Sequence, residues 1–203
     1  MLGCFDFRYN REMDILYTHQ LNGNLAYLPR LFTHIKQIST QLTHNPLLLD
    51  LGGACAPTQW HCEVTEGRSA LIVLDAMGYH AVTITNTLTP TSYDKLKDQV
   101  AMALVDDTSA TIVMGALVSC SPRFIPDAPT LKICLTPADK IGMIDDWLYL
   151  RGVASDEIGI VQFDDGIIRH RIEKIPAKTS PNATISGVVD FVLAEARYYQ
   201  SKK

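Results

Sequence analysis

Residues 47–51 read Leu-Leu-Leu-Asp-Leu and run straight into Gly52-Gly53. An apolar run this short, without polar alternation, predicts a strand buried on both faces, which requires packed layers on either side of its sheet. Further β-type runs alternate with segments of helical periodicity, the pattern of an α/β protein with helices over sheets. A chain of 203 residues with 47% apolar content can fill such a core. No linker or repeat interrupts it, so one domain over 1–203 is expected.

The spacing predicts the elements. Ile15 to Thr18 reads as a strand. Leu28, Leu31, Phe32, Ile35, Ile38 and Leu42 share one helical face, with Pro29 tolerated in the first turn. A helix from Thr65 or Glu66 turns Ala70, Val73, Leu74 and Met77 inward and stops at Gly78. Ala81 to Ile84, Thr111 to Met114, Leu117 to Ser119 and Leu131 to Leu135 read as strands, with helices over 92–104 and, shorter, over 139–147. Asp164-Asp165-Gly166 between two β runs marks a hairpin. A last helix from about Ile185 to Tyr199 carries Val188, Val189, Val192 and Ala196 at core spacing.

Several classes of function are excluded at this level. No apolar run approaches the roughly 20 residues of a membrane span, and charged Asp6, Arg8, Arg11, Glu12 and Asp14 stand where a secretory signal would be apolar. A cytoplasmic protein is expected, and Leu2-Gly3-Cys4 is not read as a lipidation box. Lysine and arginine are scattered and the formal charge is −4, so no nucleic-acid partner is expected. Five irregularly spaced cysteines in a chain with a large core predict reduced thiols rather than a disulfide framework.

The loop after residues 47–51 holds Cys55, Trp60, His61 and Cys62. Loops at the carboxyl ends of strands in open α/β sheets build sites. Cys62, read as shortly preceding a helix and lying beside a protonated His61, would gain thiolate character, making Cys55, His61 and Cys62 candidate catalytic residues for thiol chemistry. One zinc or other divalent ion on Cys55, His61 and Cys62, with His19 or Asp50, is an alternative. The structural reading is that these residues pack under Trp60. The Asp106-Asp107, Asp145-Asp146 and Asp164-Asp165 pairs read as solvated turns, Pro122, Pro126 and Pro129 as a surface loop, and Asn182-Ala183-Thr184 as an idle glycosylation match.

Ile15-Leu16-Tyr17-Thr18-His19-Gln20-Leu21-Asn22-Gly23 resembles the first motif, Asn-Asp-x-His-Gly after a strand, of the 5'-nucleotidase branch of the calcineurin-like metallophosphoesterases. Leu48-Leu49-Asp50-Leu51-Gly52-Gly53 resembles the second, Leu-Asp-x-Gly-Asp. Residues 67–86 are similar to the helix and strand that lead into Gly-Asn-His-Glu, and residues 159–172 to the closing strand pair. The resemblance is to UshA-like proteins. It implies a metallophosphoesterase-like four-layer α/β/β/α sandwich with mixed sheets, shortened in the middle and without the C-terminal nucleotide-recognition domain.

The ligands of that family are replaced. Gln20 and Asn22 stand where the resemblance calls for Asp and His, Gly53 where it calls for the metal-bridging Asp, and Thr85-Asn86-Thr87-Leu88 where Gly-Asn-His-Glu belongs. Two divalent ions about 4 Å apart need anionic bridging ligands, which neutral amides and glycine do not supply. The expectation is a degenerate protein with no cofactor, either binding an unspecified small molecule or protein through Gln20, Asn22, Asp50 and Asn86 or acting through a repurposed site around Cys55 to Cys62 and Asn86. The alternatives are a thiol-dependent redox enzyme on Cys55 and Cys62, or a phosphohydrolase with an atypical metal site.

Overall fold

The computed structural model describes residues 12–122, 130–164 and 166–202. In chain order the elements are β1 (Met13–Thr18), α1 (Leu28–Ser39), β2 (Leu47–Asp50), α2 (Trp60–Val64), α3 (Arg68–Ala76), β3 (Ala81–Thr83), α4 (Pro90–Leu96), β4 (Ala103–Val105), β5 (Ala110–Val113), β6 (Ala116–Ser119), β7 (Lys132–Ala138), β8 (Gly142–Ile144), β9 (Trp147–Arg151), β10 (Glu157–Asp164), β11 (Ile167–Lys174) and α5 (Ala183–Gln200). The sequence readings at Cys4, Pro126, Pro129 and Asp165 lie outside the described residues.

The strands form two mixed sheets, one ordered β11-β10-β1-β2-β3-β4 and the other β5-β6-β7-β9-β8. Within the first, β1 to β4 run parallel, and β10 closes antiparallel on β1. Strand alternation then sorts the core. Leu16, Leu48 and Val82 point to the helices, where they meet Leu31, Ile35, Leu71, Leu74 and Val192. Ile15, Tyr17, Leu47 and Leu49 point to the second sheet, against Val118, Ile133, Leu148 and Leu150. The uniformly apolar β2 is buried along its whole length, as its composition requires. Helix α5 crosses α1, α2 and α3. Among the described residues no helix covers the outer face of the second sheet, where Leu117, Cys134 and Trp147 cluster with Tyr149. The implied fourth layer therefore has no counterpart among them.

Local chemistry explains most boundaries. Pro29 sits in the first turn of α1, where its missing N–H costs nothing. Thr89 caps α4 by accepting from Ser92 N–H, and Asn182 caps α5 by accepting from Ile185 N–H at 3.1 Å, so the glycosylation match serves as a helix cap.

Two predicted helices differ. The helix expected over 92–104 ends at Leu96, because the Asp75 carboxylate accepts the Ala101 and Met102 N–H groups at 2.8 and 2.9 Å and turns the chain into β4. The helix expected over 139–147 is the hairpin of β8 and β9, with Ile144 opposite Trp147. Asp145 and Asp146 adopt φ of 47° and 65°, a left-handed turn that short polar side chains tolerate. No described helix is long and apolar enough to cross a membrane.

Candidate functional site

The loops leaving the carboxyl ends of β1 and β2 are zipped together by their backbones. Gln20 N–H donates to Gly52 O at 2.8 Å, Asn22 N–H to Gly53 O at 2.7 Å, and Gly23 N–H to Ala54 O at 2.8 Å. The fold thus brings together Gln20, Asn22 and Gly53, three of the positions singled out by motif. Gly53 has a φ of 73°, and a Cβ there would lie 3.0 Å from Gln20 Cα, so the close approach needs glycine. Gln20 and Asn22 also hold positive φ, at 55° and 54°, and both are exposed.

Asp50 lies beneath this edge and is 0% exposed. One carboxylate oxygen accepts from the Thr18 hydroxyl at 2.7 Å and the other from Gly52 N–H at 3.0 Å, while Tyr79 Oη lies 2.9 Å from Thr18 Oγ1. Burial pushes the Asp50 carboxyl up to about 7, against these two hydrogen bonds. Its role in the fold is to tie β1 to the turn after β2. Asn86, at φ 61°, occupies the exposed loop after β3 and does not line the groove described next.

An open groove of about 560 Å3 lies where β1 ends beside the ends of β7 and β9. His19, Gln20, Pro137, Asp139, Arg151 and Val153 line it. His19 is half-buried over Gly152, and burial lowers its pKa, with a hydrogen bond to the Val153 backbone opposing. Arg151 is exposed and takes part in none of the ion pairs among the described residues. Its cation therefore lines the groove without an ion-pair partner among the described residues. The loops after β7 and β9 carry no recognisable motif, so their part in the groove was invisible in the sequence.

Cys55 and Cys62 are joined in a disulfide with Cα atoms 5.7 Å apart. This corrects the expectation of reduced thiols at Cys55 and Cys62: the turn through 56–59 folds Cys62 back onto Cys55, a proximity that seven-residue spacing does not announce. Cys120 and Cys134 are free, as expected. Cys62 also lies inside α2 rather than ahead of a helix. His61 is 4% exposed, donates from Nε2 to Gly23 O at 3.0 Å, and accepts at Nδ1 from the Ser69 hydroxyl at 2.8 Å. Burial lowers its pKa, which corrects the expected protonated His61 to a neutral ring. Trp60, itself exposed, lies edge-on to His61, with ring centroids 5.8 Å apart.

No protein-family model matches this sequence, and no curated protein matches it.

Proposed function

We propose that this chain is a degenerate UshA-like protein on a metallophosphoesterase-type scaffold, which binds a small polar ligand and does not perform two-metal hydrolysis. One observation carries the reading. Gln20, Asn22 and Gly53 are held against one another at the carboxyl edge of the parallel strands, where the resemblance implies Asp, His and a bridging Asp. Shared placement supports the scaffold, and the substituted side chains argue against its chemistry. Neutral amides and a glycine offer no bridging anion, so these donors do not fit a dinuclear centre.

The adjacent groove offers recognition instead. Arg151 supplies a cation, Gln20 and Asp139 supply hydrogen-bonding groups, and Pro137 and Val153 supply apolar wall. A small molecule with an acidic group set against Arg151 fits that lining. A thiol-dependent redox enzyme is less favoured: Cys55 is 8% and Cys62 3% exposed, whereas an exchange enzyme presents an attackable sulfur at its surface.

The test is metal content of the purified protein by elemental analysis, with turnover of a generic phosphate ester in added manganese. Neither stoichiometric metal pairs nor turnover is expected; about two ions with chelator-sensitive turnover would overturn the reading. Calorimetric binding of malonate and inorganic phosphate to wild type and Arg151→Ala then tests the groove. Loss of binding in the variant supports the groove; probes that bind neither protein, or both equally, count against it.

A further inference from the structure

Cys55, His61 and Cys62 form a buried group whose ligand atoms all lie within 4.8 Å of one another. A disulfide that only staples a loop has no need of an imidazole within reach of both sulfurs. This imidazole is also oriented as metal-binding histidines are: Nε2–H donates to a backbone carbonyl, Gly23 O, which fixes the tautomer and leaves the Nδ1 lone pair directed elsewhere. Nδ1 meets the Ser69 hydroxyl at 2.8 Å, and that hydroxyl lies 3.8 Å from Cys55 Sγ. Nδ1, Ser69 Oγ and the Cys55 sulfur therefore share one small space.

We propose that Cys55, Cys62 and His61 Nδ1 form a redox-gated site for a zinc-class ion, closed while the disulfide stands and opened by its reduction. Zinc bonds thiolate sulfur at about 2.3 Å and imidazole nitrogen at about 2.0 Å, so tetrahedral donors around one ion sit roughly 3.3–3.8 Å apart. A ring nitrogen of His61 and the two sulfurs already lie within 4.8 Å of one another, and reduction frees both Sγ atoms to rotate towards a shared ion. Ser69 Oγ or a water completes the fourth position. The balance is simple. Two external thiols give two electrons and two protons to the Cys55–Cys62 bond and close into their own disulfide; the two cysteine thiols then release two protons as the ion binds. Small reductants, unlike a protein partner, reach Cys55, the more exposed of the two cysteines at 8%, from the exposed turn at Pro57, Thr58 and Gln59. The site is independent of the groove reading.

The experiment titrates cobalt(II), a spectroscopic stand-in for zinc, into the full chain under anaerobic conditions, once oxidised and once reduced with a phosphine. The expected result is one equivalent bound by the reduced protein, with thiolate-to-cobalt charge-transfer absorption that zinc displaces, and none in the oxidised protein. His61→Gln should weaken binding at least about tenfold at unchanged far-ultraviolet circular dichroism. If that variant does not fold, alkylation of reduced wild type decides: zinc should protect Cys55 and Cys62 from alkylation. Absence of the charge-transfer band after reduction, equal binding by the oxidised protein, binding unaffected in a folded His61→Gln, or alkylation indifferent to zinc would each overturn the proposal.

Discussion

The ring of Tyr17 lies directly over Gly159, its register partner across β1 and β10, so that a Cβ on residue 159 would sit 2.0 Å from Tyr17 Cζ. The fully buried phenol extends beyond the glycine to His170 on β11, with Oη and Nε2 3.0 Å apart. Three strands are thereby tied through one side chain. Gly159→Ala should destabilise the protein by about 3 kcal/mol or more, since the displaced group is a ring packed between two sheets. Urea unfolding of the variant measures this; a loss below about 1 kcal/mol would mean that Tyr17 can move aside at little cost.

Asp50 predicts an unusual pH dependence. Its folded-state pKa is raised from 3.8 to about 7, so the folded state holds a proton that the unfolded chain has released. Its contribution to stability is therefore full below pH 4 and falls as pH rises towards 7. With one unit worth about 1.4 kcal/mol, the total is on the order of 4 kcal/mol. Asp50→Asn mimics the protonated acid, donating from the amide to Thr18 and accepting from Gly52 N–H. It should flatten that slope and match or exceed wild-type stability at pH 8. An Asn variant less stable than wild type at pH 8 would show that the carboxylate is better accommodated than its burial implies.

In the Asp50→Asn background the histidines become readable. Burial lowers the pKa of His19, His61, His80 and His170, and Leu48 N–H donates to His80 Nδ1 at 2.9 Å, which requires an unprotonated acceptor. Their stabilisation is present above their unfolded pKa of about 6.5 and lost as pH falls below it. Chemical unfolding between about pH 5 and 7 should show stability rising with pH, and a flat profile would contradict the neutral assignment of these rings.

Cleaving the Cys55–Cys62 disulfide removes a short loop constraint from the unfolded chain. With a sequence separation of seven, the chain-entropy relation puts the loss at about 2–3 kcal/mol. Cys55→Ala with Cys62→Ala, compared with wild type under oxidising conditions, measures it by thermal unfolding. Equal melting temperatures would indicate that the bridge leaves the unfolded ensemble unconstrained.

Gly53→Asp should not create a metal centre. The position has φ of 73°, and the new Cβ would press on Gln20 Cα at 3.0 Å. A left-handed conformation alone costs a residue with a side chain about 1–2 kcal/mol. The variant is expected to be less stable by at least that much and to bind manganese no better than wild type, as read by denaturation and equilibrium dialysis.

What the sequence determined by itself was local. The apolar run at Leu47 to Leu49, the stripe of Leu28, Leu31, Ile35 and Ile38, and the Asp-Gly between β10 and β11 specify their elements because burial pattern and turn chemistry act over a few residues. That Gln20, Asn22 and Gly53 offer no anionic metal ligand was equally legible, since a side chain's ligand chemistry belongs to its identity. Only the tertiary structure decided what depends on distance between segments. It split the expected 92–104 helix because Asp75 reaches across from α3, and it turned 139–147 into a hairpin on a sheet whose partners lie elsewhere in the chain. It closed Cys55 onto Cys62, and it gave His61 two partners and a buried, neutral ring. Burial and pairing are properties of the assembled core, and sequence spacing carries neither the approach of two loops nor the solvent they exclude.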